Sequence, residues 1–262
     1  MDNPQAQTQT VLYHFRHLDG EHREWTKKIL TDSILYFSSP SEFNDPYDCK
    51  VHYCNRLSIA QLKEHYYTVM KERLPSLSRK QCRAQVVQDT KHLKPDEFIS
   101  KMTDVMQSIA DELGVLSFSA TSTNILLWSH YAANHTGICL KFLAENTIPF
   151  FGLAQQVKYE KYYPEVDLLA TSHNDQVQAF LLTKAIDWAY EEEWRIIDHE
   201  NGPGIRVFPE KFLLEVIFGA RTKQEDKEDV LSWLSKRKYP VQVSQALLCS
   251  GTYSLKIEPY QP

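Results

Sequence analysis

At 262 residues, with 42% hydrophobic and 24% charged side chains, the chain has the composition of an ordinary globular protein and enough length to bury a core without metal or disulfide staples. A formal charge of −5 argues against the broad phosphate-neutralising surface of a nonspecific DNA binder, and 8 glycines leave little room for a glycine-rich phosphate cradle. Five cysteines without CxxC pairing, and an opening MDNPQAQTQT with neither a basic nor an apolar signal region, point to a reduced, cytoplasmic setting. The longest apolar runs fall well short of the roughly 20 residues that span a bilayer, so no membrane partner is expected.

The first residues are polar and read as a tail. VLYHF then reads as a strand, EHREWTKKIL as a short helix and SILYFSS as a second strand, ended by the proline-, asparagine- and aspartate-bearing SPSEFNDPYD. From 56 to 113 the character changes. Ser58 with Gln61 three positions on is a capping box, followed by Leu62, Tyr66 and Val69 at helical spacing. Pro95 and Asp96 open a stretch in which Phe98, Met102, Val105, Ile109 and Leu113 recur until Gly114 supplies a stop. We read this as a helical insertion in a single domain spanning 1–262. Strands return with VLSFS, GICLKF and QVKYEKY, interrupted by a short helix over NILLWSHYA. A helix is expected over 173–189, with Val177, Phe180, Leu181 and Trp188 on its apolar stripe, before a strand at EWRIID. FLLEVIFG reads as a buried strand, Thr222 with Glu225 as a capping box for a helix ending near Arg237, and VQVSQALL and YSLKIEP as closing strands. Many short strands without regular βαβ alternation predict an α+β fold with a mixed, mostly antiparallel sheet.

The signatures of dinucleotide, P-loop, hydrolase-elbow and zincin chemistry are absent from the sequence. His130 and His135 are spaced poorly for one helix face, so no metal site is predicted. YEEEWRII is more informative. If extended, it puts Glu191, Glu193, Arg195 and Ile197 on one face and Trp194 and Ile196 on the other. Such a row is either a solvated ion pair, worth less than about 1 kcal/mol, or the wall of a cleft in which a carboxylate accepts from a sugar hydroxyl while Arg195 holds the geometry. Same-face neighbours stand about 6.5–7 Å apart along a strand, which would let Glu191 and Glu193 straddle a water as in a hydrolase. His14 shares its side of the first strand with Leu12, Asn44 and Asp45 form a turn with Pro46, and Trp128 and Tyr131 lie three apart on a short helix. Singly, these residues read as packing and turn chemistry.

Taken in order, LYHFR, ILYFSSPSEFNDPYD, LSFSATSTNILLWSHYAANHTGICLKF and KAIDWAYEEEWRII resemble the motifs of the bacterial family called domain of unknown function 2971 (DUF2971), over roughly residues 11–220. That resemblance implies a family and no reaction. A second similarity is in layout: a histidine on the first strand, a Ser/Thr-bearing strand end followed by a tyrosine, and a late strand with Glu-x-Glu look like the ADP-ribosyltransferase fold. The layout implies NAD as substrate. In it His14 orients NAD, Tyr131 stacks on nicotinamide, Ser119 supports the pocket, and Glu193, with Glu191 beside it, is the catalytic carboxylate; Trp128, Arg195, Asn44 and Asp45 complete the implied NAD-binding set. Breaking the ribose–nicotinamide bond develops positive charge on the sugar, which a fixed carboxylate stabilises. The expected function is transfer of ADP-ribose to a protein or nucleic-acid acceptor, as in a toxin or phage-defence effector. A glycoside or nucleoside hydrolase with paired carboxylates and a non-catalytic sensor module are the alternatives.

Overall fold

Alternation along VLYHFR sends Leu12 into the main core and Phe15 to the opposite side of the sheet, which makes β1 (Val11–Arg16) a strand covered on both faces. The structure is a computed structural model that describes residues 10–53, 58–145, 147–167, 169 and 172–261. The expected tail over residues 1–9, Cys54 and the opening of the insertion at residues 56–57 lie outside the described residues. After β1 come α1 (Gly20–Asp32), β2 (Ile34–Phe37), then α2 (Ile59–Arg73), α3 (Arg79–Asp89) and α4 (Pro95–Asp111) in succession. The next elements are β3 (Gly114–Ser119), α5 (Ile125–Tyr131), β4 (Ile138–Leu143), β5 (Gln155–Gln156), β6 (Lys158–Glu160), α6 (His173–Leu181), β7 (Thr183–Ala185) and β8 (Glu193–Asp198). The chain closes with β9 (Gly204–Val207), β10 (Leu213–Phe218), α7 (Gln224–Leu234), β11 (Gln242–Leu248) and β12 (Leu255–Pro259).

Eight strands form one sheet in the order β12-β11-β10-β4-β1-β3-β8-β5, antiparallel throughout except for the parallel β10–β11 pair. This is the mixed, mostly antiparallel α+β architecture the sequence predicts. One face packs on α1 and α7 through Leu30, Phe118, Leu140, Phe142, Phe218 and Val230. Phe142 stacks on Phe151 at 4.7 Å and meets Phe208 edge-on at 5.3 Å, contacts that add about 0.5–1.5 kcal/mol each beyond their burial. The other face is closed by α5 through Leu127 and Trp128. A third cluster, including Met106, Val115, Phe180 and Leu181, ties α4 and α6 to the end of the sheet. The register aligns Tyr13 with Ser119 and Ser119 with Glu193 across β1, β3 and β8. Three positions far apart in sequence thus stand in one row. Among the described residues, no helix is long and apolar enough to cross a membrane.

The local signals that hold are mostly caps. Ser58 and Gln61 form the capping box reciprocally, and Ser78 with Gln81 repeats it at α3. Elsewhere tertiary contacts override the pattern. The helix expected over 173–189 stops at Leu181; β7 pairs with β6, and a 3-10 turn over Ile186–Glu191 follows. The reason lies in Lys184, whose ammonium is drawn into a buried group of carboxylates described below. QVKYEKY divides into β5 and β6 in different sheets: Val157 still donates its N–H to the Glu193 carbonyl of β8 (2.9 Å), whereas Lys158 donates to the Leu182 carbonyl (2.7 Å) and so turns to β7. Thr222 does not cap α7; its hydroxyl donates to the Gly137 carbonyl at 2.8 Å, and Lys223 takes the N-cap position. Gly114 begins β3 and is not merely the stop of α4, since a Cβ there would lie 2.2 Å from the Gly202 carbonyl oxygen. Gly137 is required for the same reason, its missing Cβ falling 2.2 Å from the Arg16 carbonyl oxygen where the loop after α5 crosses the end of β1.

Candidate functional site

The NDPYD turn, β7 and the start of β8 converge on a buried group of five charges. Asp45 Oδ1 accepts from the Tyr47 N–H (2.8 Å) and the Asp45 carbonyl accepts from the Asp48 N–H (3.2 Å). This aspartate turn delivers the Asp48 carboxylate inward. Arg195, which has no solvent exposure, holds two carboxylates at once: Nε donates to Glu193 Oε1 at 2.7 Å and Nη2 to Glu193 Oε2 at 3.0 Å, while Nη1 and Nη2 donate to Asp48 Oδ1 at 3.0 Å and Oδ2 at 2.6 Å. A further Nη1 bond reaches the Leu181 carbonyl at 2.7 Å. Lys184 bridges the other side, 2.6 Å from Glu191 Oε2, 2.9 Å from Glu193 Oε2 and 3.4 Å from Asp48 Oδ2. Tyr131 donates its hydroxyl to the remaining Glu191 oxygen at 2.7 Å. Three carboxylates therefore face two cations.

The two glutamates titrate in opposite directions. Burial dominates at Glu191 and raises its carboxyl above the ordinary range, against the pull of Lys184. At Glu193 burial would do the same, but Arg195 and Lys184, with the Ser117 hydroxyl, overcome it and bring the pKa down to about 2. Burial would also lower Lys184, yet the three surrounding carboxylates raise it. Tyr131 is raised by burial and by the Glu191 charge, so its hydroxyl stays a donor. Two adjacent carboxyls whose pKa values are pushed apart are the usual arrangement of an acid/base pair.

A cavity of about 450 Å³ opens on this group, and His14, Asn44, Ser119, Tyr131, Glu191 and Glu193 all line it. His14 donates from Nδ1 to the Ser117 carbonyl at 3.0 Å, which leaves Nε2 as an acceptor in the neutral ring. Burial, and secondarily the Arg16 charge, hold its pKa down at about 3. Ser119 is nearly buried and donates its hydroxyl to the Thr121 carbonyl at 3.1 Å, so it shapes the wall.

Other expected site residues lie elsewhere. Trp128 is wholly buried in the core, its indole N–H donating to the Ser122 carbonyl at 2.7 Å and its ring meeting Phe15 edge-on, because the apolar face of α5 turns to the sheet. Asp45 serves the turn and is absent from the cavity wall. Arg195 stands behind Glu193 and does not reach the cavity. Glu191 does not share a strand face with Glu193 and Arg195: it ends the 3-10 turn, and Glu192, at φ 45°, breaks the extended run between them. Nor is the gap between Glu191 and Glu193 open to a water, because the Lys184 ammonium sits in it. Sequence reasoning missed Asp48, Lys184, Ser117 and Arg16. Asp48 carried a signal, standing in the same NDPYD run as Asn44; Lys184 carried none, lying in what reads as a helix.

The buried imidazole carries a pH dependence. In the unfolded chain the ring binds a proton near pH 6.5, whereas the folded ring refuses one until about pH 3. The unfolded state holds more protons across that window, so stability falls as pH drops below about 6.5. Glu193 acts in the same sense lower down: its contribution is complete above about 4.5 and is lost as pH falls towards 2. Glu191, whose carboxyl is raised, works in the opposite direction. Urea midpoints measured from pH 8 to pH 4 are expected to decline below pH 6.5 in the wild type and to stay flatter down to about pH 5 in His14→Asn, which keeps a donor for Ser117 without a titrating ring.

Residues 127–196 match the model of a family described as Protein of unknown function (DUF2971). The matched stretch is narrower than the 11–220 over which the motifs resemble that family. It runs from α5 to β8 and carries Tyr131, Lys184, Glu191, Glu193 and Arg195, while LYHFR and NDPYD fall outside it. Neither the curated proteins nor the solved structures give a match to the chain.

Proposed function

We propose, taking as premise that its DUF2971 stretch supplies Tyr131 and the acidic pair, that the protein binds NAD or a closely related nucleotide and transfers ADP-ribose from it. The observation that supports this reading is the meeting of His14, Tyr131, Glu191 and Glu193 at one cavity whose volume falls in the range of small-molecule sites. In this reading Glu193 is the fixed anion that stabilises positive charge on the ribose as the nicotinamide bond breaks. Glu191, with its raised carboxyl and its contact to the Tyr131 hydroxyl, moves the proton that activates the acceptor. The neutral His14 accepts from a ribose hydroxyl through Nε2, and Asn44 lines the same cavity. The layout similarity to ADP-ribosyltransferases points to the same assignment for Glu193, and proton transfer is added as the role of Glu191. The setting proposed is a cytoplasmic effector, a toxin or phage-defence protein, acting on a protein or nucleic-acid acceptor.

A binding module is the second reading, favoured by one observation: both Glu193 oxygens are already engaged by Arg195 and Lys184. Incubation with NAD labelled in the adenine ring, with host lysate present, separates the two. Transfer of label together with a rise in melting temperature on NAD, both expected, supports ADP-ribosyl transfer. Nicotinamide release without a labelled acceptor turns the reading to hydrolysis, and a thermal shift with neither product turns it to a sensor. No shift and no turnover would remove NAD from the account.

A further inference from the structure

The cavity holding the acidic pair adjoins a second one of about 490 Å³, and His14, Arg16, His22, Phe43 and Ser117 line both. Arg16 is the anomaly in that shared wall. It is the last residue of β1, and its Nε is fully buried with no hydrogen-bond partner among the described residues. No carboxylate comes within ion-pair distance of it among the described residues either. Glu42 lines the first cavity but accepts from the Ser39 N–H at 3.2 Å and the Tyr36 hydroxyl at 3.4 Å. Glu21 lines the second from the exposed first turn of α1. The contrast with Arg195 and Arg206, whose guanidinium groups are anchored to carboxylates, is plain. A half-buried guanidinium without an anion carries a desolvation cost that nothing among the described residues offsets.

The far side of the second cavity is lined by Trp25 and Tyr36, whose rings lie 6.0 Å apart and are 38% and 42% exposed, over a floor that includes Ile29 and Leu35. Two large aromatics left in contact with water on a cavity wall offer a flat apolar ligand a surface to pack on. The two halves therefore differ: an aromatic compartment on one side, an acidic and hydroxyl-bearing one on the other, and an unpaired cation between them.

We propose that Arg16 is an anion anchor, and that the ligand carries a nucleoside diphosphate whose diphosphate lies on the Arg16 guanidinium at the junction of the cavities and whose base packs against Trp25 and Tyr36. This deepens the proposed function and rests on it only for the position of the glycosidic bond near Glu191. Guanidinium presents its donors in a planar fork that fits phosphate oxygens two at a time, and such bonds are stronger than neutral ones. His17 and His22, with ring centroids 4.9 Å apart, add donors at the mouth of the first cavity. An arginine kept unpaired for a ligand destabilises the empty protein. That separates it from one kept for structure.

Calorimetric titration of the full chain with ADP, adenosine and pyrophosphate tests the assignment. Wild type is expected to bind ADP. Arg16→Met is expected to weaken ADP and pyrophosphate by at least about tenfold, the loss of a charge-assisted bond, and to leave adenosine unchanged. Trp25→Ala should weaken ADP and adenosine alike and spare pyrophosphate. Ligand-free Arg16→Met should melt above the wild type, and Arg16→Gln serves if the methionine variant does not fold. Absence of ADP binding by the wild type, or ADP binding indifferent to both Arg16 substitutions, overturns the proposal. If ADP binds through Arg16 while NAD is never cleaved, the anchor stands and the glycosidic reading falls. NAD turnover undiminished in Arg16→Met would sink the anchor alone.

Discussion

Replacement of Arg195 by methionine is expected to cost about 3–5 kcal/mol of folding stability, the loss found when one partner of a buried ionic group is removed. The variant would leave Asp48, Glu191 and Glu193 facing Lys184 alone, and of the carboxylate oxygens that Arg195 holds Lys184 reaches only Glu193 Oε2 and Asp48 Oδ2. The guanidinium forks onto two carboxylates in different directions and also satisfies the Leu181 carbonyl, so four acceptor oxygens of Asp48 and Glu193 and one backbone oxygen lose donors together. Arg195→Lys is expected to recover little of the loss, because the three donors of an ammonium cannot reproduce the five bonds that the guanidinium makes to the two carboxylates and the Leu181 carbonyl. The size of the loss matters against a total of about 5–15 kcal/mol for a typical domain. Arg23→Met is the control: its pairs with Asp226 and Asp229 lie at the surface between α1 and α7 and are expected to contribute less than about 1 kcal/mol. Urea denaturation of the three variants at pH 7.5 gives the comparison, and equal losses for Arg195→Met and Arg23→Met would show that the buried group is not what holds β8 to the NDPYD turn. The gap between wild type and Arg195→Met should narrow towards pH 5. Without its cation the Glu193 carboxyl rises, and protonation relieves the repulsion.

What the sequence reveals of this arrangement, and what it hides, follows from the range of the forces involved. Ser58 with Gln61 and the alternation in VLYHF and EWRIID are local, and the corresponding elements stand where expected. Glu193 and Arg195 share a face for the same reason. Glu191 does not, because the left-handed turn at Glu192 interrupts the period, and a run of three glutamates gives no sign of where such a turn falls. Lys184 is hidden more deeply. Its surroundings scan as a helix with Phe180, Leu181 and Trp188 on one side, and it gains a buried role only where Glu191, Glu193 and the sequence-distant Asp48 converge on its ammonium. Asn44 and Asp45 are the visible part of the turn, but their conformation matters mainly because it aims Asp48. Trp128 shows the reverse error: an aromatic next to a candidate tyrosine looks like a ligand contact, yet the helix face it occupies is the one the sheet requires. Period and caps reveal the scaffold, whereas the site depends on contacts between elements that no local window contains.

The largest effect on chemistry is expected at Glu191, and its variant should part company with that of Glu193. Glutamine at 191 removes the carboxyl proposed to move the proton while leaving two carboxylates opposite two cations, with an amide that still offers an acceptor to Lys184 and a donor to Tyr131. Turnover of NAD should fall by about 10²–10⁴-fold, with a melting temperature equal to the wild type or above it. Glutamine at 193 acts differently. It removes a carboxylate that Arg195 holds by two bonds and Lys184 by one. Since this carboxyl is ionised far below its usual range when folded, the substitution takes away stabilisation present at every pH above about 4.5. Its melting temperature should drop, and its turnover should fall with it. Measuring both quantities for both variants separates proton transfer from bracing: if Glu191→Gln turned over NAD like the wild type while losing stability like Glu193→Gln, the acidic pair would be a brace for β8, and the cavity beside it a place where ligands bind without being changed.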